Sequence, residues 1–422
     1  MTAERSKPVL VIGGGIAGIT TAVELADTGC DVILVEKSAS LGGRVARLHQ
    51  YFPKLCPPAC GLEMHYRRLR DNPAITVLTL AEVTRVSGSA GEYEVEVAVQ
   101  PRFVNGYCTL CGDCQRACLA NRPDDFNYGL GATKAVYLPG GVPYPAVYVI
   151  DRAACTEGCN ACEAACRYDA IRLQSQPEIK TYSVSAIVAA TGWKPYDATR
   201  LDNLGFGKFS NVVTNVMLER MAAADGPTGG RVLRPLDGKE PRTVAFVQCA
   251  GSRDENHLPY CSAVCCAASV KHAAYIRALY PETAITIFYI DLRTPGKLEE
   301  FSTRIQRDAG IRVVKGKVAR VEENRATGDL LVSAEDTLTS RKSTENFELV
   351  VLATGIVPQT EGLPAEFPRD EFGFLNGHDG SPGLYAAGCV RRPAEVSASV
   401  QDATGAALKA LQCANRSVCH AQ

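Results

Sequence analysis

The stretch Pro8 to Gly18 reads PVLVIGGGIAG, in which a short apolar strand runs directly into a glycine turn. The turn has the spacing G-x-G-x-x-G, formed by Gly13, Gly15 and Gly18. The first glycine permits a tight turn, the second lets the backbone approach a pyrophosphate, and the third lets the following helix pack on the strand. The amphipathic run 19–26 continues as that helix, whose N-terminus then faces the phosphates. The stretch therefore predicts a Rossmann-like α/β domain that binds a dinucleotide.

The segments that follow strengthen the dinucleotide signal. A second strand, 31–35, ends at Glu36, where a carboxylate can accept the ribose 2′-OH, and Lys37 comes next. The sequence LGGR then adds Gly43 and Arg44 to the candidate cofactor-binding residues. A glycine pattern alone is weak evidence, but together with the strand, the acid and Gly-Gly-Arg it becomes strong. The combination resembles the FAD-binding half of the two-dinucleotide-binding-domain flavoproteins, which implies FAD as the cofactor.

Three later segments carry the same resemblance. The sequences 190–192 and 353–355 both read Ala-Thr-Gly at the end of an apolar strand, and in that superfamily such turns mark passages between the two nucleotide domains. The segment 383–388 is similar to the last FAD strand, which ordinarily ends in Gly-Asp. Here Cys389 replaces the aspartate, which puts the usual carboxylate contact to the ribityl chain in doubt, and we interpret it as a small buried residue next to the flavin. The further candidate cofactor-binding residues are Thr191, Gly192, Gly388 and Cys389.

Composition limits the classes of function. The chain has 45 basic and 46 acidic residues among 422, and this balance supports neither a nucleic-acid surface nor a polybasic membrane patch. Its length predicts two or three domains. The first apolar run, 9–12, leads into glycines and does not resemble a secretion signal, and there is no apolar run of about 18 residues that could span a membrane. We therefore expect a cytoplasmic chain that does not cross the membrane by itself.

Two sets of four cysteines lie close together in the first half of the chain. In a reducing cytoplasm such spacing indicates metal ligands far more often than disulfides. The first set has the C-x2-C-x2-C-x3-C spacing of a bacterial ferredoxin half, and the second has one extra residue in its first gap. The sets are Cys108, Cys111, Cys114 and Cys118, and Cys155, Cys159, Cys162 and Cys166. They predict a ferredoxin-like insert with two [4Fe–4S] clusters, with structural zinc as the alternative.

The resemblance to ferredoxins also implies how the two sets share their clusters. In ferredoxins the fourth cysteine of each run ligates the other cluster. By this resemblance Cys166 completes the first cluster and Cys118 completes the second.

A third set of cysteines stands where a second nucleotide-binding turn is expected. The strand 243–248, the helix 262–279 and the strand 284–290 follow the order of a nucleotide-binding unit, yet the turn at 249–254 lacks G-x-G-x-x-G. The set consists of Cys249, Cys261, Cys265 and Cys266. Soft thiolates favour iron–sulfur chemistry, so a third [4Fe–4S] cluster is our hypothesis. Because neighbouring side chains diverge on a helix, zinc, a disulfide or buried thiols remain alternatives.

These pieces predict the fold class and the domain boundaries. The class is α/β, a two-dinucleotide-binding-domain flavoprotein with a Rossmann-like FAD domain, a second Rossmann-like domain and an inserted ferredoxin-like module. The FAD domain comprises 1–100, 181–235 and 347–422, the ferredoxin-like insert covers 101–180, and a degenerate NAD-domain-like unit covers 236–346. The charged, Ser/Thr-rich stretch 322–346 predicts an exposed hairpin region.

The order of the pieces resembles the A subunit of heterodisulfide reductase over nearly the whole chain. The likeness also rests on PRFV at 101–104, GSR at 251–253 and Arg293-Thr294. Within that family, the compact size and the segment YFPKLCPPACGLE at 51–63 look most like the A subunit of the quinone-interacting membrane-bound oxidoreductase complex. That resemblance implies an FAD and iron–sulfur subunit passing electrons between the quinone pool and adenylylsulfate reductase. It further implies two partners, a membrane cytochrome subunit and a second flavin and iron–sulfur subunit, with the chain on the inner face of the cytoplasmic membrane.

Other functions stay open at this point. The chain could be a heterodisulfide-reductase-type flavin subunit that uses ferredoxin or thiol/disulfide partners, an NAD(P)H-dependent flavin reductase, or a cluster-bearing scaffold without flavin turnover. Cys56 and Cys60 suggest a redox-active dithiol, although Pro57-Pro58 stiffens the segment between them. Lys297 is a candidate for stabilising anionic flavin, and an ordinary surface lysine is the alternative.

Overall fold

The computed structural model describes residues 7–376 and 382–420, with side chains as far as residue 415. The outer ends of the predicted FAD-domain parts 1–100 and 347–422 therefore lie outside the described residues. The strands are β1 Val9–Ile12, β2 Val32–Glu36, β3 Ile75–Thr79, β4 Ala81–Ser89, β5 Glu92–Val99, β6 Asn121–Pro123, β7 Ala132–Lys134, β8 Val136–Tyr137, β9 Val149–Ile150, β10 Glu178–Val184, β11 Ala186–Ala189, β12 Trp193–Pro195, β13 Val212–Thr214, β14 Thr243–Ala250, β15 Ala284–Tyr289, β16 Ile311–Lys315, β17 Val318–Glu323, β18 Leu330–Asp336, β19 Arg341–Phe347, β20 Leu349–Thr354, β21 Ile356–Pro358 and β22 Leu384–Ala386. The α-helices are α1 Ile16–Asp27, α2 Ala59–Asp71, α3 Asp113–Ala117, α4 Ala161–Ala164, α5 Asn215–Ala222, α6 Cys265–Leu279, α7 Lys297–Gln306 and α8 Val396–His420.

The chain forms two compact units, and the first comprises Met1–Arg47, Ala59–Trp193 and Pro358–Gln422. Its main sheet has the strand order β22-β11-β1-β2-β3, and all of its pairings are parallel. Strand β1 is buried along its whole length, as expected for a parallel strand with both faces covered. A second, antiparallel sheet, β10-β5-β4, shares one apolar core with the parallel sheet. The carboxyl ends of β1 and β2 carry the glycine turn and Glu36.

The cysteine-rich insert belongs to this first unit. It consists of the short helices α3 and α4 and two small antiparallel sheets, β6-β7 and β8-β9. Its core is small and contains buried cysteine side chains among the apolar residues, namely Cys114, Cys118 and Cys162. Thiols therefore occupy positions that a larger module would fill with aliphatic side chains.

The second unit comprises Leu48–Pro58 and Lys194–Val357. Its parallel sheet has the order β13-β20-β14-β15-β16, with α6 connecting β14 to β15 and α7 connecting β15 to β16. The antiparallel strands β17, β18 and β19 follow and confirm a hairpin region, but only β19 is mostly exposed, because Leu330, Val332 and Ala334 of β18 are buried. Two parallel sheets with helical crossovers confirm the α/β class.

Two features of the second unit differ from expectation or were not foreseen. The helix predicted from residue 262 begins at Cys265, because Ala263 has a left-handed backbone with a φ of 59°, which an α-helix does not accommodate. The two neighbouring cysteines are therefore the first two residues of α6. The segment Leu48–Pro58 packs as part of the second unit although the chain on both sides of it belongs to the first.

Candidate cofactor and cluster sites

The glycine turn of the first unit has a geometry that requires its glycines. Gly13 has a φ of 110°, and a Cβ there would lie 2.4 Å from the Ala190 carbonyl oxygen. At Gly18 a Cβ would lie 1.8 Å from the Gly13 carbonyl oxygen, so only glycine lets α1 pack this closely on the turn. At Gly15, in contrast, a Cβ would meet nothing nearer than Gly43 Cα at 4.0 Å. The turn thus leaves open backbone at the N-terminus of α1, which fits a pyrophosphate.

The carboxylate of Glu36 is held against this turn. One of its oxygens, Oε2, accepts the backbone N–H of Gly14 at 2.6 Å, and Oε1 accepts the N–H of Ser38 at 2.7 Å. Each carboxylate oxygen can accept a second hydrogen bond, so a ribose hydroxyl fits as an additional donor. Lys37, in contrast, forms an exposed ion pair with Glu82 at 3.1 Å. The structure thus places Glu36 at the turn and leaves the cofactor role of Lys37 a prediction.

Arg44 connects the glycine-rich loop to the insert. Gly43 lies so close to the first turn that a Cβ on it would stand 2.9 Å from Gly15 Cα. The Arg44 guanidinium donates to the Trp193 carbonyl at 3.1 Å and to the Tyr128 hydroxyl at 2.9 Å. It also lies over both rings, 5.3 Å from the Trp193 centroid and 5.5 Å from that of Tyr128. The sequence indicated Arg44 but not these two partners, because both are distant along the chain.

Thr191 and Gly192, which follow β11, have different surroundings. The hydroxyl of Thr191 donates to the Gln359 carbonyl at 2.6 Å, so it links two passages of the chain. Gly192 has a φ of 74°, and a Cβ there would meet nothing within 4 Å, so its backbone is open. Of this pair, Gly192 therefore has the geometry that better fits contact with a cofactor.

The backbone at Gly388 is hydrogen-bonded to a carboxylate on α8. The Gly388 N–H donates to Asp402 Oδ2 on α8 at 2.7 Å, and the other oxygen of that carboxylate pairs with Arg391. The Cys389 thiol donates to the Ala394 carbonyl at 3.2 Å, and burial raises its pKa, so it remains a neutral thiol. Sequence reasoning missed Asp402, which lies 13 positions after Cys389; only the packing of α8 brings it to this turn.

The first cysteine pocket lies in the insert. It is lined by Cys108, Cys111, Cys114 and Cys166 together with Tyr148 and Tyr168. The fourth cysteine of the second run therefore lies with the first three of the first run, which is the grouping that the ferredoxin resemblance implies. Four thiols around one pocket fit an iron–sulfur cluster chemically.

In the second group, too, the fourth cysteine of one run lies with the first three cysteines of the other. Burial raises the pKa of the Cys155 and Cys162 thiols. Cys118 lies close enough to both thiols to raise their pKa values further. Cys159 adds to the same effect at Cys155. Cys118 thus lies with the cysteines of the second run. Whether these groups ligate clusters remains a prediction, but the structure brings together the residues that the prediction requires.

The insert is docked on the loop that carries Gly43 and Arg44. The Leu41 N–H donates to the Tyr144 carbonyl at 2.9 Å, and the Tyr144 N–H donates to Ser40 Oγ at 2.9 Å. The rings of Tyr66 and Tyr144 stack with centroids 5.2 Å apart. The long segment between the two cysteine runs therefore fastens the insert to the candidate FAD site.

The third cysteine pocket lies in the second unit. It is lined by Cys249, Cys261, Cys265 and Cys266, with Ser252, Ser262, Arg253, Asp291 and Arg293 around them. Cys249 and Arg253 both have left-handed backbones, with φ of 57° and 56°, and such strain is typical of functional turns. Cys265 and Cys266 begin α6, whose N-terminus favours negative charge on the ligands. The divergence of these neighbours does not keep either thiol from lining the pocket.

Three thiols of this pocket, those of Cys249, Cys265 and Cys266, favour the protonated form. Burial raises the pKa of Cys249, Cys265 and Cys266, and at Cys249 the nearby Arg253 opposes the rise. A metal or cluster therefore has to displace protons on binding. Among the side chains that the structure describes, those of residues 7–376 and 382–415, no group of three or more His, Cys, Asp or Glu is placed to hold a metal ion.

The three remaining candidate catalytic residues are exposed. Cys56 and Cys60 are exposed free thiols that belong to different compact units. Lys297 is the exposed first residue of α7. A catalytic role for any of the three stays a prediction.

The chain is similar to one family of domains and to the A subunits of heterodisulfide reductases. Residues 11–77 match the NAD(P)-binding Rossmann-like domain family. The chain is 39% identical over 425 residues to the A subunit of the ferredoxin/F(420)H(2)-dependent CoB-CoM heterodisulfide reductase of Methanosarcina acetivorans, covering 97% of this chain and 53% of that protein. It is 41% identical over 417 residues to the iron-sulfur A 2 subunit of the CoB–CoM heterodisulfide reductase of Methanopyrus kandleri, covering 95% and 63%.

Over almost its whole length, the chain is similar to heterodisulfide reductase A subunits. It spans between about half and two thirds of the length of these two relatives.

The fold of this A-subunit-like chain is that of a two-domain flavoprotein. The thioredoxin reductase of Lactococcus lactis superposes with a TM-score of 0.56 at 15% identity, covering 97% of this chain and 99% of that one. The thioredoxin reductase of T. acidophilum gives 0.54 at 14% identity, with the same two coverages of 97% and 99%. These likenesses confirm the predicted fold class. In the described part of this A-subunit-like chain, no helix combines the length and apolar character needed to cross a membrane.

Proposed function

We propose that this chain is an FAD and iron–sulfur electron-transfer subunit of a heterodisulfide-reductase-type complex, and that it exchanges electrons with ferredoxin. One observation carries the proposal: the first unit keeps an intact dinucleotide turn, while the corresponding turn of the second unit opens into a pocket lined by four thiols. The first feature suits a flavin nucleotide. The second suits a one-electron cluster better than the phosphates of a nicotinamide nucleotide.

In the first unit the residues bind and orient the dinucleotide. Gly13, Gly15 and Gly18 hold the backbone open at the start of α1 for the pyrophosphate, and Glu36 accepts from the ribose. Arg44 fastens the glycine-rich loop to Tyr128 of the insert. FAD, when bound, supplies the exchange of electron pairs and single electrons, while the protein supplies position and electrostatics.

The three cysteine groups would hold one cluster each. Cys108, Cys111, Cys114 and Cys166 line the first pocket, Cys118 joins Cys155, Cys159 and Cys162 in the second group, and Cys249, Cys261, Cys265 and Cys266 line the third pocket. Each group offers four soft donors, which is the donor set of a [4Fe–4S] cluster, and the first and third groups line pockets. The exchange of single electrons is what such clusters would supply.

The relatives favour the ferredoxin-linked alternative over the quinone-linked interpretation. The proteins compared above are heterodisulfide reductase subunits, and the name of the Methanosarcina relative includes ferredoxin. The quinone-linked interpretation rests on the compact size and on the resemblance of residues 51–63. It includes a quinone-pool partner, adenylylsulfate reductase, a membrane cytochrome subunit and a position at the inner membrane face. The missing second glycine loop argues against an NAD(P)H-dependent reductase.

The composition of the purified protein tests the proposal. Iron and acid-labile sulfide per FAD are measured in anaerobically purified wild-type chain, in a Cys265→Ala/Cys266→Ala variant and in Cys30→Ala, which alters a buried cysteine outside the three groups. We expect about twelve irons in the wild type and in Cys30→Ala, and about eight in the double variant. About eight irons in all three would refute the third cluster.

A reduction assay then tests the partner. We expect reduced ferredoxin to reduce the wild-type chain and NADH to leave it oxidised, because the second unit lacks a phosphate-binding turn. Reduction by NADH alone, with ferredoxin ineffective, would support the NAD(P)H-dependent interpretation instead.

A further inference from the structure

Two serine hydroxyls lie inside the third cysteine pocket. Ser252 and Ser262 are 2% and 1% exposed, and both line the pocket beside the four cysteines. Their Oγ atoms are hydrogen-bonded to each other at 2.9 Å. Ser262 Oγ also accepts the backbone N–H of Ile356 at 2.8 Å. The two hydroxyls are therefore fixed in place by the protein.

The proton count of this pair leaves one donor to spare. Two hydroxyls carry two protons, and one of them makes the bond between the serines. Within the described residues, no other acceptor is hydrogen-bonded to either hydroxyl. A buried O–H without an acceptor is costly, so the second proton needs an acceptor in the pocket.

The Ala-Thr-Gly turn at 353–355 makes room for the serine pair. A Cβ on Gly355 would lie 2.3 Å from Ser252 Oγ and 3.0 Å from Ser262 Oγ. Any larger residue would displace one of the hydroxyls. The glycine thus has a role in the pocket as well as at the strand end, which indicates a built site rather than an accidental gap.

A second donor lies at the same pocket. Arg253 uses Nη2 for an ion pair with Asp291 Oδ2 at 2.9 Å, which orients the guanidinium. Its Nη1 is buried and has no hydrogen-bond partner among the described residues. The start of α6 adds partial positive charge on the side of Cys265 and Cys266. The pocket therefore combines thiol ligands with hydrogen-bond donors that have no acceptor among the described residues.

We propose that the Ser252–Ser262 pair and Arg253 donate hydrogen bonds to the cluster held by the third cysteine group and thereby raise its reduction potential above that of the same ligand set without donors. The inference rests on the proposed function, because it needs the third cluster. Reduction of such a cluster would take one electron, which reduced ferredoxin, the partner in the proposed function, would supply, and it would need no bond to a cysteine to form or break. Hydrogen bonds to cluster sulfurs would stabilise the more negative, reduced form, so these hydrogen-bond donors would make the site easier to reduce.

A redox titration of the anaerobically purified chain tests the inference. The signal of the third cluster is the part of the spectrum that the Cys265→Ala/Cys266→Ala variant lacks. In Ser252→Ala we expect the ratio of reduced to oxidised third cluster at a fixed ambient potential to fall about tenfold, which corresponds to ~59 mV for a one-electron couple. The two clusters of the insert should keep their midpoints.

Three further variants make the test specific. Ser252→Thr keeps the hydroxyl and should stay near the wild type. Ser269→Ala removes another fully buried hydroxyl on α6, outside the pocket lining, and should also leave the midpoint unchanged. Arg253→Gln removes the second hydrogen-bond donor and should lower the midpoint of the third cluster. If Ser252→Ala loses iron, the midpoint of Arg253→Gln decides the test.

The outcomes separate the inference from the proposed function. If Ser252→Ala and Arg253→Gln keep about twelve irons and the wild-type midpoint, the donors do not tune the site and the inference is overturned while the proposed function stands. If the wild type itself has about eight irons, the third cluster of the proposed function fails first.

Discussion

Neutralising Glu219 should strongly destabilise the second unit. The side chain of Glu219 on α5 is 4% exposed, and it meets Lys271 and His272 of α6, which are 2% and 3% exposed. Glu219 Oε1 lies 2.9 Å from Lys271 Nζ, and Oε2 lies 2.5 Å from His272 Nε2. The same Oε1 accepts the N–H of His49 at 2.8 Å, and Lys271 donates to the Gln50 carbonyl at 2.8 Å. This buried cluster therefore fastens the segment Leu48–Pro58 to both helices.

The magnitude follows from the distance and the burial. Two unit charges 2.9 Å apart attract by about 6 kcal/mol at an effective dielectric constant of about 20. Glu219→Gln removes the negative charge and leaves the Lys271 ammonium buried with the Gln50 carbonyl as its remaining strong acceptor. Breaking a buried ion pair on one side typically costs about 3–5 kcal/mol. We expect Glu219→Gln to lower the free energy of unfolding of the second unit by that amount.

Urea denaturation followed by circular dichroism measures this loss, and calorimetry separates the transitions of the two units. Glu299→Gln, which neutralises an exposed glutamate on α7, is the matched control and should change stability by less than about 0.5 kcal/mol. The double variant Glu219→Met/Lys271→Met removes both charges and should recover most of the stability, because no unpaired charge is left behind. A loss below about 1 kcal/mol in Glu219→Gln, or a double variant less stable than the single one, would refute the reasoning.

Three other predictions concern a buried histidine, the dinucleotide turn and the insert. Burial lowers the pKa of His272 although Glu219 opposes the shift, so the unfolded chain binds this proton more readily than the native chain. The free energy of unfolding should therefore fall as the pH drops below about 6.5. Urea denaturation at about pH 5 to 8 measures this fall, which should be smaller in His272→Gln. Gly18→Ala should abolish FAD retention, measured by flavin absorbance after gel filtration, whereas Gly61→Ala, with open space around its Cβ, should retain FAD. Cys166→Ala should lose the first cluster of the insert and keep the second, measured as a loss of about four irons with one insert signal remaining; loss of both signals, or of neither, would contradict the crossover grouping.

Much of the fold could be predicted because its signals are local. The dinucleotide turn depends on glycines at fixed spacing, and the structure shows the close contacts that require Gly13 and Gly18. Parallel strands buried on both faces read as short apolar runs, so β1 and β14 were visible in the sequence. The resemblance of the two cysteine runs to ferredoxins likewise implied which thiols lie together in the insert, because the ferredoxin crossover is a property of the whole motif.

The site contacts that sequence reasoning missed all involve single residues that a different element brings to the site. Asp402 reaches the Gly388 turn because α8 packs beside it. Arg44 lies over Trp193, almost 150 positions away, because the chain after β11 and the glycine-rich loop after β2 both leave the carboxyl ends of parallel strands in one sheet. A lone aspartate or arginine carries no spacing signal, so nothing in the sequence distinguishes it from a surface residue.

The sequence by itself determined the α/β class, the dinucleotide turn, the two ferredoxin-like cysteine runs and the unusual third set, because each follows from backbone sterics or ligand spacing within a short segment. Only the tertiary structure decided that Cys265 and Cys266 begin a helix, that Ser252 and Ser262 share one pocket with them, and that Glu219 is buried against Lys271. The physical reason is that burial and pairing depend on which surfaces the folded chain removes from water. Those surfaces are set by packing between elements that are far apart in sequence.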